Sequence, residues 1–252
     1  MSTTGTEQPT VQVFPDREAL GRKAGDDIAA ELRRRLAQQD GVRMIFAAAP
    51  SQQETLARLR VAEGIDWSRV TAFHMDEYVG LPADAPQRFA AWLNKALFDH
   101  VPFGKVHLLD PTEDLAADVR QYADELASAP IDLVVLGIGV NGHIAFNDPP
   151  DADLDDPEPV RVVELAEASR RQQVDDECFD RIEDVPTTAI TLTVPRLLDA
   201  ERLFCVVPGA LKANAVRAAL TDPIGPACPA TVLRRHADCT LYLDKESAAH
   251  VR

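Results

Sequence analysis

Short apolar runs alternate along the chain with stretches whose apolar residues recur every three or four positions. Residues 42–49 (VRMIFAAA), 70–76 (VTAFHMD), 131–139 (IDLVVLGIG), 202–209 (RLFCVVPG) and 239–244 (CTLYLD) are predicted strands. Most are continuously apolar, the pattern of strands covered on both faces. Between them, residues 16–39 carry Leu20, Ala24, Ile28, Leu32 and Leu36, a spacing of four that winds a slowly drifting apolar stripe along a helix. Residues 51–63, 112–126 and 210–220 also read as helices, with Ser51 and Thr112 as expected N-caps. The alternation predicts an α/β fold: a mainly parallel central sheet with helices on both faces. Residues 1–10 are polar and aperiodic, an expected disordered tail, and residues 11–252 are expected to form a single domain. Residues 147–159 (NDPPDADLDDPEP) are too acidic and proline-rich for a helix interior or a central strand. They read as a loop bordering whatever site the preceding motif builds.

Composition narrows the function. With 26 Lys and Arg against 41 Asp and Glu, the net charge of −15 argues against broad binding of nucleic acid or anionic membranes. It leaves room for a small phosphorylated ligand, which a few local donors can hold. The apolar runs fall short of the roughly 20 residues a membrane helix needs, and no basic segment followed by an apolar stretch marks a signal peptide. The default expectation is cytoplasmic. The four cysteines (Cys178, Cys205, Cys228, Cys239) form no CxxC pair, and the six histidines form no HxxxH, so no metal site is expected.

The unusual residues cluster. Ala48-Ala49-Pro50-Ser51, Met75-Asp76-Glu77-Tyr78, residues 137–143 and Pro208 to Lys212 each follow the end of a predicted strand, the edge where open α/β sheets bind ligands. Of the adjacent carboxylates Asp76 and Glu77, strand alternation sends one to the cleft and the other away. The run GIGVNGH (residues 137–143) matches the dinucleotide expression GxGxxG, but the following HIAFNDPP cannot open the long helix that cradles a pyrophosphate. The expected fold is therefore Rossmann-like without a dinucleotide site. What remains is a glycine turn that exposes backbone N–H groups, among them those of Gly139 and Gly142, and delivers His143 with Asn141 and Asp148 nearby. A histidine so placed suits acid–base work. Lys212, in the first turn of a helix, opposes the helix dipole unless an anion sits there.

Together the words FHMDEYVGL (73–81), LGIGVNGHIAFNDP (136–149), VPTTAIT (185–191), LLDA (197–200) and GALKANAV (209–216) resemble the glucosamine-6-phosphate deaminase/isomerase family, related to 6-phosphogluconolactonases. The resemblance implies conversion of glucosamine 6-phosphate and water to fructose 6-phosphate and ammonia, with no cofactor. It implies Asp76 as the base moving the C2 proton to C1, and His143 as the ring-opening group with Asn141 and Asp148 as its partners. Ala48, Ala49, Ser51, Glu77, Gly139, Gly142, Arg170, Arg171 and Lys212 are the expected substrate contacts. The chain departs from the family pattern at several points, and residues 191–195 (TLTVP) read more like the lactonase branch. Asn141 and Asp148 stand where Asp and Glu are common, the phosphate loop reads AAAPS instead of a TGxTP-like sequence, and the Arg170-Arg171 pair lies early for the lid arginine. Three alternatives stay open: a lactonase, a deaminase for another amino sugar, and a non-catalytic sugar-phosphate sensor. The expected partner is a small sugar phosphate, and self-association is left open.

Overall fold

A computed structural model describes residues 8–251. In chain order the elements are β1 (Thr10–Phe14), α1 (Arg17–Leu36), β2 (Val42–Phe46), α2 (Gln53–Arg60), β3 (Val70–His74), β4 (Asp76–Tyr78), α3 (Phe89–Ala96), β5 (Lys105–His107), α4 (Leu115–Ala127), β6 (Ile131–Leu136), β7 (Val160–Glu164), α5 (Glu167–Asp175), β8 (Thr188–Leu192), α6 (Val194–Leu198), β9 (Ala200–Val207), α7 (Ala213–Thr221) and β10 (Cys239–Asp244). Seven strands form one parallel sheet in the order β1-β10-β9-β6-β2-β3-β5. From β2 the chain builds outward through β3 to β5, and from β6 it builds the other way through β9 to β10. The winding direction therefore switches between β2 and β6, which opens a crevice at their C-terminal ends.

The continuously apolar strands lie where their pattern places them, in a sheet covered on both faces. Met44 and Phe46 of β2, Leu133 and Val135 of β6, and Phe204 and Val206 of β9 join one core with α1, α2 and α3. Their neighbours Ile45, Val134, Leu136, Leu203 and Cys205 join a second core with Tyr122 and Leu126 of α4 and Val216 and Ala219 of α7. Leu20, Ala24, Ile28 and Leu32 are all buried, so the spacing-of-four stripe is the buried face of α1.

A second sheet, β4-β8-β7, is antiparallel. It is built from three short segments that the hydrophobic pattern does not resolve, and it carries Asp76, which opens β4 instead of ending the predicted strand 70–76. Several boundaries also differ from expectation. The expected tail falls mostly on residues 1–7, outside the described residues, while Thr10 already pairs with Thr240 in the sheet. Ser51 caps nothing: Pro50–Gln52 is a 3-10 turn leading into α2. Thr112 yields the N-cap of α4 to Asp114, whose carboxylate accepts from Ala117 N. At the first, Pro50 opens the 3-10 turn; at the second, Thr112 Oγ1 instead accepts from Asp114 N and bonds to the Asp118 carboxylate. Among the described residues no helix is long and apolar enough to cross a membrane.

Helix α1 crosses α2 at close range through Gly21 and Gly25, one helical turn apart. A Cβ on Gly21 would fall 2.3 Å from Glu54 Cβ, and one on Gly25 2.9 Å from Thr55 O. That crossing seats α2 and with it the turn bordering the crevice. Gly21→Ala gains helix propensity but must push the helices apart. A loss of about 1–3 kcal/mol in chemical denaturation is expected; unchanged stability would mean that the crossing is not tight.

Candidate active site

The crevice at the switch point has a wall that includes Ala48, Ala49, Ser51, Gln52, Asp76, Phe89, Gly139, His143, Gln172, Gln173 and Lys212. It draws on the segments after β2, β3, β6 and β9, as the clustering of unusual residues implies, and adds α5. Its titratable side chains are Asp76, His143 and Lys212.

Asp76 opens β4 directly after the sheet strand β3, and it pairs across to Thr191 of β8. Alternation then sends Asp76 to the cavity and Glu77 into the protein, as the sequence implies. Burial pushes the Asp76 carboxyl well above the usual carboxylate range, and the neighbouring Glu77 charge pushes the same way. Glu77, expected as a substrate contact, does not line the cavity. It is fully buried, and its oxygens accept from the backbone N–H groups of Tyr78 (2.9 Å), Phe89 (3.0 Å) and Ala90 (2.9 Å). Arg88 Nε lies 3.6 Å away. Burial raises this carboxyl too, opposed by the three N–H donors and by Arg88. Glu77 therefore pins the N-terminus of α3, which presents Phe89 to the cavity, to the strand that presents Asp76.

His143 follows the glycine turn. Gly139 N donates to His143 O at 2.9 Å, closing the turn. A Cβ on Gly139 would sit 2.1 Å from His143 Cε1 and Nε2, so glycine is what lets the ring lie against the turn. Gly142 has φ +87°, a conformation that disfavours side chains, and a Cβ there would strike Cys228 Sγ at 2.5 Å. No helix begins at Gly142; Ile144 instead bridges to Asn147. The small sheet holds the next segment in place: Phe146 N donates to Thr191 Oγ1, and Asn147 Nδ2 to Ile144 O and Leu192 O.

Behind the ring, His143 Nδ1 lies 3.1 Å from Asp148 Oδ1 and 2.9 Å from Ser169 Oγ. Asp148 also accepts from Asn141 Nδ2 (3.0 Å), Ala166 N (3.2 Å) and the Ser169 hydroxyl. Burial works against its charge, but the bonds from His143, Asn141 and Ser169 outweigh it and hold the carboxyl down at about 2. Asn141 closes the group by accepting from His143 N. Asn141 and Asp148 thus support His143 from behind instead of lining the cavity, and Asp148 reaches the ring despite its short side chain.

At the opposite wall Lys212 is nearly buried in the 3-10 turn Ala210–Lys212 that leads into α7, with burial lowering its ammonium to about 8. The expected arginines are elsewhere. Arg170 donates to the carbonyls of Ile182 and Val185, and Arg171 is exposed and paired with Glu167. The residues of α5 that turn inward are Ser169, Gln172 and Gln173, all buried. Gln172 accepts from Val140 N at 2.9 Å, tying α5 to the glycine turn. Sequence reasoning missed these three, Gln52 and Phe89. The i, i+3, i+4 spacing of 169, 172 and 173 is the signal that marks a common helix face.

Comparisons with known proteins bear on the family and the fold. A family model described as glucosamine-6-phosphate isomerases/6-phosphogluconolactonase matches residues 15–242. Glucosamine-6-phosphate deaminases of Bacillus thuringiensis (strain Al Hakam) and Bacillus cereus (strain AH820) are each 39% identical over 184 residues, 73% of this chain and 68% of theirs. A monomeric glucosamine-6-phosphate deaminase of solved structure superposes with a TM-score of 0.87 at 27% identity, covering 96% of this chain and 99% of that one. A 6-phosphogluconolactonase from Trypanosoma brucei shares the fold, with a TM-score of 0.80 at 22% identity over 98% of this chain and 100% of its own.

In Glu77→Gln one acceptor oxygen becomes an NH2 group facing backbone N–H donors. The protein should lose about 1–3 kcal/mol of unfolding free energy. Denaturant titration checks it; a neutral result would mean that α3 is anchored by other contacts.

Proposed function

The chain belongs to the glucosamine-6-phosphate isomerase/6-phosphogluconolactonase family, and from that premise we propose that it is a glucosamine-6-phosphate deaminase. The reaction it carries takes glucosamine 6-phosphate and water to fructose 6-phosphate and ammonia. The observation that supports this reading best is the pairing of two unlike groups in one cavity: a buried carboxylate with its affinity for protons raised, and a histidine backed by an ionised carboxylate.

In the proposed mechanism His143 takes the proton of the anomeric hydroxyl and returns one to the ring oxygen, opening the pyranose. Asp76 then removes the proton from C2 of the open chain and delivers it to C1, while the C2 ammonium gives a proton to the C1 carbonyl oxygen, which turns the 2-amino aldose into the imine of the ketose that water hydrolyses to ketose and ammonia. A raised affinity for protons suits Asp76 to this task, because a weakly basic carboxylate would remove a C–H proton slowly. A lactonase needs only one base for water at a carbonyl, so Asp76 would have no work there. As part of the same proposal Lys212 meets the phosphate, assisted by Ser51 Oγ and the N–H groups around Ala49, and the enzyme works in the cytoplasm on this small-molecule partner.

Asp76→Asn should keep the fold and lower turnover at least ~100-fold. Because Asp76 acts as a base, activity is lost as pH falls through its raised value, so the acidic limb of kcat/KM should lie well above the ordinary carboxylate range. Removing the neighbouring charge in Glu77→Gln should move that limb to lower pH. An ammonia-release assay over pH reads both, and full turnover in Asp76→Asn would sink the assignment.

Phosphate binding gives a separate check. Lys212→Ala should weaken binding of glucosamine 6-phosphate roughly 30-fold, and in the unmodified chain KM should rise above the pH of about 8 at which Lys212 loses its charge. The Arg170→Ala/Arg171→Ala double variant should stay within about 3-fold of the unmodified chain, since neither guanidinium reaches the cavity. A larger loss in the arginine variant than in Lys212→Ala would mean that the phosphate lies elsewhere.

A further inference from the structure

Ser169 is fully buried on the inward face of α5 and stands between the two groups that carry the histidine chemistry. Counting protons fixes the direction of each bond. Ionised Asp148 can only accept. Ser169 has a single hydroxyl proton, and of its two neighbours the carboxylate is the stronger acceptor, so the hydroxyl donates to Asp148 Oδ1. Ser169 Oγ then faces His143 Nδ1, 2.9 Å away, only as an acceptor, and Nδ1 must carry the hydrogen. The neutral ring is left with a free lone pair on Nε2, the nitrogen lying against Gly139 at the cavity wall.

We propose that Ser169 is a positioning residue of this site: it holds His143 as the Nδ1–H tautomer and draws off part of the Asp148 charge, so that Nε2 meets the substrate as a proton acceptor. Asp148 alone, 3.1 Å from Nδ1, would also select this tautomer, but a carboxylate free of the serine proton would hold the ring in its charged form more strongly. An imidazolium cannot take a hydroxyl proton. The hydroxyl thus separates two effects of one carboxylate, orienting the ring without locking it protonated. The other titratable groups around the ring are Asp76 and Lys212, which line the same cavity, and Cys228, whose Sγ lies beneath Gly142. They are common to every variant below. Helix α5 is held for this role at both ends of its inner face, by Ser169 and by the Gln172 bond to Val140 N.

The proposal rests on reading His143 as the group that takes the sugar hydroxyl proton, but the ring itself can be observed without turnover. Nitrogen-15 NMR of labelled histidine in the full chain, followed over pH for the unmodified protein, Ser169→Ala, Ser169→Gly and Asp148→Asn, gives the tautomer and the titration midpoint. Thermal unfolding confirms that each variant folds. Expected are the Nδ1–H form in the unmodified chain, a midpoint moved up by about half a pH unit in both Ser169 variants, and one moved down in Asp148→Asn. Turnover of glucosamine 6-phosphate near neutral pH should fall ~3–10-fold in Ser169→Ala. A ring carrying hydrogen on Nε2 instead of Nδ1, or midpoints in the Ser169 variants at or below that of the unmodified chain, overturns the proposal. Correct tautomer and midpoints with no ammonia released by the unmodified chain would defeat the deaminase reading and leave the serine assignment standing.

Discussion

Everything at this site depends on the reversal of winding between β2 and β6. Two adjacent parallel strands whose connections leave in opposite directions cannot both be covered at their C-terminal ends, and the gap is a crevice the backbone creates before any side chain is chosen. The turn after β2 supplies Ala48 to Gln52 to one wall, and the glycine turn after β6 supplies His143 to the other. Neither segment could be shifted by a residue without moving a strand through a core packed on both faces. The small antiparallel sheet then closes the arrangement. It fixes Asp76 by its pairing to Thr191, and it fixes the chain beyond His143 by bonds to Thr191 and Leu192, so one strand, β8, sets the positions of both Asp76 and His143.

Three carboxylates within this small region have three different environments, and the differences are what give each its task. Asp76 is buried with a like charge beside it and is pushed toward holding a proton. Glu77, one residue on, is equally out of water but receives three backbone N–H groups, so it serves as an anchor. Asp148 receives donors from His143, Asn141, Ser169 and Ala166 N and stays ionised at any physiological pH. Desolvation is common to all three; the number of donors decides the outcome.

The parts legible in the sequence were those set by long-range regularity. Continuous apolar runs gave the central strands, a spacing of four gave the buried face of α1, and the position of odd residues after strand ends gave the crevice. Strand alternation alone separated Asp76 from Glu77. The short strands β4, β7 and β8 were not legible, because segments of three to five residues such as Asp76–Tyr78 carry too few positions to show a period, and they exist through pairing with one another. The caps were misplaced because several residues near each helix start have capping chemistry: Pro50 opens a 3-10 turn at Ser51, and Asp114, two residues beyond Thr112, caps α4 instead.

The misplaced arginines follow from helix geometry. Successive residues on a helix are about 100° apart, so a face holding 169, 172 and 173 excludes 170 and 171. Ser169 is committed inward by His143 and Asp148, and once it is placed the rest of α5 has no freedom: Gln172 and Gln173 must face the cavity, and Arg170 and Arg171 must face away. The same commitment that builds the histidine's support therefore decides the charge of the far wall. Neutral amides stand where a cation was expected, and Lys212 is left as the basic group that can meet an anion in this cavity. Burial lowers its ammonium to about 8, so an anion held there would be held in a more pH-sensitive way than by a guanidinium, which stays charged throughout.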